Sequence, residues 1–485
     1  KIDQEVAFLD YREKAPLTAH KNMYLNDQGD VIDNITLIGG QAAGVPGTVA
    51  GFWEAHQRYG QLPWKDLVQP AIELADKGFM PAPILVESIH SMEQRFEGKT
   101  NFNDYFNSIS SDSLFRQPEL ANTLRRIAEF GADDFYRGET AALIVQQMEK
   151  SNGLISLEDL DAYAAVWRAP VRAGWRDYEI ISAPPPSSGG FAIVQLLKMK
   201  DYLSELFEGV EHNSAQYIHL VAEMEKRVFA DRAEYLGDPD FFDIDIDALI
   251  DDDYLARRAA EVNPKAISVL DSVNPGLESP NTTHYSIVDQ WGNAVSNTYT
   301  INWDYGSGVV VGGAGFLLNN EMDDFSAKPG TPNIYGVVGS VANEIQPGKR
   351  MLSSMSPTIV LKGGEVEMVL GTPGGSTIFT TVFQVITNIL DFGMSVEEAI
   401  GIARFHHQLV PPDLITYSGF TIGQYLPKAT VADLLERGYR SEPHSFEYGD
   451  VQIIVRSGDS WIAASDPRDR GQSRVFEVTT KTRDR

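Results

Sequence analysis

The stretch that most constrains this chain is Asn281-Thr282-Thr283-His284-Tyr285-Ser286-Ile287-Val288-Asp289, a little past the middle of 485 residues. Polar and apolar residues roughly alternate from His284 to Asp289, and Gln290-Trp291-Gly292-Asn293 supplies a turn. A second alternating run extends from Ala294 to Ile301 and carries Thr298 and Thr300. Alternation with period two on both sides of a glycine-containing turn predicts a β-hairpin. The two adjacent threonines at its head can be plain strand formers. They can also be chemistry. A threonine at a chain N-terminus carries a nucleophilic hydroxyl and, on the same residue, an amine of pKa about 8 able to act as its base. Local spacing alone favours the strand reading, so the rest of the chain has to arbitrate.

The length fits two or three ordinary domains or one large layered α/β domain. With 43% hydrophobic and 22% charged residues the composition is globular, and the chain is long enough to bury a large core. It lacks an apolar run of about 18 residues, so no transmembrane helix is expected. It opens Lys-Ile-Asp-Gln, without a methionine or a signal peptide, and so reads as processed or truncated. Forty basic residues against 68 acidic ones give a net charge of −28. Nucleic acid and anionic membranes are poor partners for that field. The clusters Asp243-Ile-Asp245-Ile-Asp247 and Asp251-Asp252-Asp253 read as solvated faces or as cation-binding surface. No cysteine is present, which excludes disulfides, thiolate catalysis and cysteine-zinc sites and permits an exported location.

Taken in order, Glu5 to Tyr11 reads as a strand ending near Arg12. An arginine there is either a structural ion pair or a carboxylate grip, since its planar fork matches two oxygens. Gly44 to Gly51 leads into a helix with Thr48 or its neighbour as cap; the Lys-Ser/Thr of a phosphate loop is missing. Pro70 to Gly78 reads as a short helix with proline just inside its start. Helical patterns cover 115–150 and 156–164, with Ser156 as an N-cap. Tyr178 to Ser182 is a strand, turned by Ala183-Pro-Pro-Pro-Ser-Ser-Gly-Gly190 into a helix from Phe191 to Asp201. A long helix spans Ser214 to Tyr235. From about Phe242 to Pro280 the sequence is acidic and proline-dotted, the best linker in the chain. A Val-rich strand after Gly308, a Pro/Gly-rich loop from Pro329 to Gly339 around Tyr335, strands at 358–361 and 366–370, an apolar helix to about Phe392 and strands at 451–455 and 461–464 complete the pattern. Pro329 to Gly339 has the composition of a lid.

A Gly-x-Ser-x-Gly elbow and a His-Glu-x-x-His motif are both missing, and adjacent His406 and His407 point different ways, which makes a poor metal site. The motifs Asp10-Tyr-Arg12-Glu13, Gly44-Val-Pro-Gly-Thr-Val-Ala-Gly51, Pro184-Pro-Pro-Ser-Ser-Gly-Gly190, Asp231-Arg-Ala-Glu-Tyr-Leu-Gly-Asp-Pro239, Thr282-Thr-His-Tyr-Ser286, Asn319 to Phe325, Leu352-Ser-Ser-Met-Ser-Pro357 and Pro373-Gly-Gly375 occur in that order. Together they closely resemble the γ-glutamyltranspeptidases (glutathione hydrolases), a family of N-terminal nucleophile hydrolases, over nearly the whole chain.

The resemblance implies an α/β fold, the four-layer αββα sandwich of that hydrolase type. It implies autocatalytic cleavage between Asn281 and Thr282. A large-subunit region, 1–281, and a small-subunit region, 282–485, would then interleave in one domain. Thr282 would be the nucleophile and Thr300 its hydrogen-bond partner, with Gly374 and Gly375 forming the oxyanion hole. Arg12, Ser353 and Ser354 match the binders of the donor's α-carboxylate; Asn302, Glu321 and Asp324 match those of its α-ammonium; Tyr335 matches the lid. Implied are γ-glutamyl donors such as glutathione, water or an amino acid or peptide as acceptor, no cofactor or metal, and a periplasmic or extracellular location. Two other readings stand beside this one. The first is a related acylase or poly-γ-glutamate hydrolase with another acyl donor, and the second an uncleaved binding protein. The sequence departs from the family in starting just before the Asp-Tyr-Arg-Glu motif and in running unbroken through Thr282.

Overall fold

The computed structural model describes residues 5–269, 282–328 and 340–477. Strand β1 (Phe8–Asp10) leads to helices α1 (Thr48–Tyr59), α2 (Trp64–Lys77), α3 (Pro83–Phe96), α4 (Phe102–Phe106), α5 (Pro118–Phe130), α6 (Ala132–Arg137), α7 (Glu139–Ser151) and α8 (Leu157–Asp161). Strands β2 (Val166–Arg168), β3 (Val171–Trp175) and β4 (Tyr178–Ser182) precede α9 (Gly189–Tyr202), α10 (Ser204–Phe207), α11 (Ala215–Tyr235), α12 (Ile246–Leu249) and α13 (Asp252–Ala260). Then come β5 (Thr283–Val288), β6 (Ala294–Tyr299), β7 (Thr358–Lys362), β8 (Glu365–Gly371), α14 (Thr377–Leu390) and α15 (Val396–Gly401). The chain ends with β9 (Arg404–His406), β10 (Leu414–Ser418), α16 (Lys428–Glu436), β11 (Arg440–Pro443), β12 (Gln452–Ser457) and β13 (Ser460–Ser465).

A six-stranded antiparallel sheet of order β13-β12-β8-β7-β4-β3 forms the centre. Strand alternation turns Ile180, Val360, Met368, Leu370, Ile453 and Val455 toward one core, shared with α9, α11 and α14. Both α9 and α14 are apolar nearly all round, as helices buried on every side must be. Alternation turns Val369 to the opposite face, where it is equally buried. There the β5–β6 hairpin lies across the sheet, Ser286 Oγ donating to the Gln452 carbonyl at 3.2 Å and Ser296 Oγ to that of Leu370 at 3.1 Å. Tyr11 and Phe52 of the next layer pack on the hairpin through Tyr299, and Tyr11 Oη donates to Asn297 Oδ1 at 2.6 Å. The layers therefore run helix, sheet, hairpin, helix, with the second β layer narrower than the first.

The predicted hairpin, the strand 178–182, the long helix capped by Ser214 and the strand pair around Gly363-Gly364 all form. Others differ for identifiable reasons. Strand β1 keeps only three residues, as many as β2 offers it for pairing. The N-cap of α1 is Gly47 and makes no side-chain cap bond, with Thr48 already inside the helix. A Cβ at Gly47 would lie 2.0 Å from the Tyr11 carbonyl oxygen, so close packing explains that glycine. Helix α2 begins at Trp64 and holds Pro70 in its interior. Val309 to Val311 is not a strand: only Val310 bridges, to Leu317. The acidic stretch after Phe242 is folded as far as it is described. Its aspartates cap helices, Asp245 accepting from Ala248 N and Asp251 from Asp253 N and Tyr254 N, while Leu249, Leu255 and Ala259 join the core. Carboxylates at helix N-termini complement the positive end of the macrodipole, which is why a charge run reads as a linker yet folds. Among the described residues no helix is long and apolar enough to cross a membrane.

Candidate active site

Thr282 stands immediately before β5 and is half-buried. The hairpin register pairs Thr283 with Tyr299; one step further out it sets Thr282 across from Thr300. Thr300 Oγ1 accepts the Asn302 N–H at 2.8 Å. Asn302 has φ +73°, a left-handed conformation that asparagine tolerates. Its Nδ2 donates to the Asn320 carbonyl at 3.0 Å, tying the end of β6 to the acidic segment that begins at Glu321.

His284 explains how the hairpin is held. Its Nδ1 lies 2.8 Å from Thr298 Oγ1 and its Nε2 3.1 Å from Ser286 Oγ. Burial pushes its pKa down to about 3, so the ring is neutral at neutral pH. It packs on Gly371, the last residue of β8, where a Cβ would sit 2.3 Å from His284 Cε1. That contact sets the spacing between β5 and the turn Thr372-Pro373-Gly374-Gly375. Gly374 and Gly375 have φ +137° and +57°, which favour glycine. Their carbonyls accept from Thr377 N at 3.0 Å and Ile378 N at 3.2 Å, and both residues directly precede Ser376, the N-cap of α14. With carbonyls turned into the helix, the two amides stand at its positive end, an arrangement suited to an oxyanion.

The charged residues converge, and on each other. Arg12 Nη1 is 2.6 Å from Glu321 Oε2 and 3.6 Å from Glu13 Oε2, and Nη2 donates to Asp324 Oδ2. Arg12 on one hand and Glu321 and Asp324 on the other, expected to bind opposite charges of the donor, pair with each other, and one buried guanidinium is shared by three carboxylates. Burial raises all three carboxyls above their usual range against the pull of Arg12, and like-charge crowding adds to it for Glu13 and Glu321, taking Glu13 to about 7. The Glu321–Arg12 contact lacks hydrogen-bond alignment, and Glu321 Oε1 is buried with no hydrogen-bond partner. With three carboxylates on one guanidinium, the cluster is short of positive charge.

Arg12 also reaches the two residues ahead of the serine pair, its Nε donating to the Met351 carbonyl at 3.4 Å and Nη2 to that of Leu352 at 3.5 Å. Ser353 N donates to the Pro186 carbonyl at 2.7 Å, and Ser188 N returns a bond to the Ser353 carbonyl at 2.8 Å. Ser353 Oγ accepts from Met355 N at 3.1 Å, and Ser354 Oγ accepts from Arg232 Nη2 at 3.2 Å. No role was assigned from sequence to Arg232, Ser188, His284 or Gly371, although the first three lie within the motifs quoted above; the further signal for Arg232 was a cation on the buried face of a long helix. Tyr335 and its loop, and Asn281, lie outside the described residues. His406 lies on β9, its Nδ1 3.0 Å from Thr380 Oγ1, and His407 N donates to Glu225 Oε2 at 2.9 Å; among the described residues no cluster of three or more His, Asp or Glu could hold a metal ion.

The family model for gamma-glutamyltranspeptidase matches residues 1–476. The chain is 56% identical over 478 residues to a glutathione hydrolase proenzyme of Pseudomonas aeruginosa, covering 98% of this chain and 85% of that protein. A solved gamma-glutamyltranspeptidase from Pseudomonas nitroreducens, complexed with L-DON, superposes with a TM-score of 0.53 at 54% identity over 54% of this chain and 78% of that one. A cephalosporin acylase from Bacillus halodurans shares the fold with a TM-score of 0.82 at 24% identity, over 98% of this chain and 86% of its own.

Proposed function

The chain belongs to the gamma-glutamyltranspeptidase family, enzymes that transfer or hydrolyse γ-glutamyl groups after a precursor processes itself into two subunits, and on that premise we propose that Thr282 is the nucleophile and glutathione or a similar γ-glutamyl compound the donor. Cleavage between Asn281 and Thr282 divides the chain into a large subunit, 1–281, and a small one, 282–485. It also frees the Thr282 amine. That amine takes the hydroxyl proton as Oγ1 attacks the γ-amide carbon, and the developing oxyanion is met by the amides of Gly374 and Gly375. Collapse breaks the C–N bond, the leaving amine takes up the proton, and a γ-glutamyl ester on Thr282 remains. Water or an acceptor amine then releases the glutamyl group. Tyr335 acts as the lid, and the enzyme works in the periplasm or outside the cell.

The observation that carries this reading is the charge balance around Arg12. A zwitterionic head group brings one ammonium to Glu321, Asp324 and Asn302 and one carboxylate to Arg12, Ser353 and Ser354. A glutaryl donor has no ammonium to supply. Turnover of L-γ-glutamyl-p-nitroanilide beside a glutaryl anilide is the direct test, with the glutamyl donor preferred by at least tenfold; the reverse preference would sink the proposal. Denaturing mass spectrometry of the wild-type protein is expected to show a fragment beginning at Thr282, absent from Thr282→Ala. A Thr282→Ala protein that still cleaved would reject the nucleophile assignment.

A further inference from the structure

We infer that Arg232 is a positioning residue for the donor's α-carboxylate, fixing the Ser354 hydroxyl as a hydrogen-bond donor and adding a second buried guanidinium to that half of the site. The inference rests on the carboxylate role proposed for Ser353 and Ser354.

A serine hydroxyl can donate or accept, so a bare serine pair does not by itself choose a carboxylate over an amide. A guanidinium can only donate. Ser354 Oγ receives Arg232 Nη2 at 3.2 Å, so one of its two lone pairs is engaged and its own proton is turned away from Arg232, free to be donated to a ligand. Ser353 is set the same way by a backbone donor, Met355 N at 3.1 Å. Two hydroxyls of fixed donor polarity side by side suit two acceptor oxygens.

Arg232 fixes position as well as polarity. Its Nε donates to Ser188 Oγ at 3.0 Å, and that hydroxyl passes its proton to the Ser353 carbonyl at 2.9 Å. One side chain on α11 thus holds Ser354 directly and the backbone of Ser353 through Ser188. It is only 6% exposed, so its charge is weakly screened. That charge acts on Asp324, the carboxylate bound on its other side by Arg12. With Arg232 counted, three carboxylates face two guanidiniums. The remaining excess is a single negative charge, which attracts the ammonium, while the entering carboxylate meets cations on two sides.

The test compares wild type, Arg232→Met, Arg232→Gln, Ser353→Ala, Ser354→Ala and the Arg232→Met/Ser354→Ala pair in the full chain, with maturation checked by mass spectrometry. Each is assayed with L-γ-glutamyl-p-nitroanilide and with the same anilide bearing an α-carboxamide. In Arg232→Met, KM for the carboxylate donor is expected to rise at least tenfold with kcat changed about threefold or less. The preference for carboxylate over carboxamide should narrow by about the same factor, and the double variant should lose less than the product of the two single losses. Arg232→Gln keeps an N–H donor without the charge and is expected to lie between; it supplies the reading if Arg232→Met does not mature. Equal losses on both donors, or an unchanged preference, would make Arg232 a structural tether and overturn the inference. Serine variants that leave the preference intact would reject the underlying carboxylate assignment, whereas narrowing in Ser354→Ala but not in the Arg232 variants rejects the inference alone.

Discussion

Glu13 shows what a single residue contributes to a site whose ligand it need not touch. Buried 3.6 Å from Arg12 Nη1 and crowded by Asp324 and Asp10, its carboxyl rises to about 7. The three-carboxylate cluster therefore still holds a proton somewhat below neutral pH, which the ammonium proposed to bind there must expel. Binding that releases a proton strengthens as pH rises, so KM for L-γ-glutamyl-p-nitroanilide is expected to fall between pH 5.5 and 7.5. Removing the charge in Glu13→Gln should flatten that slope. Michaelis curves across this window check it, and a KM independent of pH in the wild type would contradict the crowding argument. The identities Arg12, Glu321 and Asp324 were legible in sequence through motif resemblance. Their mutual pairing was not, because the partners stand 312 residues apart for Arg12 and Asp324 and no local pattern encodes a distance across that span.

At the scale of elements, the hairpin and β8 form one positioning unit. Both were legible as alternation broken by glycine turns, since the strand period depends only on neighbouring residues. Their contact was not. Gly371 looks like any strand-ending glycine until His284 is found where its Cβ would go. Gly371→Ala is expected to push the hairpin from the sheet, costing about 1–3 kcal/mol of stability as overpacking does, with kcat falling more than KM rises. His284→Ala in the same protein vacates the space, so the double variant should regain part of the thermal midpoint lost by Gly371→Ala. Melting curves with parallel kinetics decide this; a Gly371→Ala enzyme of wild-type midpoint and kcat would show that the spacing is not set there. The acidic segment after Phe242 misled for a related reason. Asp245 and Asp251 are caps whose helices are stabilised by packing on the core, and packing is invisible to charge count.

For the whole molecule, the central sheet is built from both sides of Thr282: β13, β12, β8 and β7 follow it in the chain, β4 and β3 precede it. Strand β4 pairs with β7 from Tyr178–Lys362 to Ser182–Thr358, and one core mixes Ile180 and Val221 with Val360, Leu370 and Phe383. A cut before Thr282 thus severs the chain without dividing the core. The two fragments are expected to co-elute as one species in native gel filtration and to separate only in denaturant. Separation at neutral pH in dilute salt would contradict a shared core. By itself the sequence determined the strands and helices with strong periodicity, the threonine-headed hairpin and the residue types of the site, because each is written in nearest neighbours or in a contiguous motif. Tertiary structure alone decided that Arg12 is shared among three carboxylates, that Arg232 stands behind Ser354 and that His284 spaces the hairpin from the sheet. Ion pairs, hydroxyl polarity and steric contact depend on atoms within a few ångströms, and only folding brings residues this far apart in sequence so close.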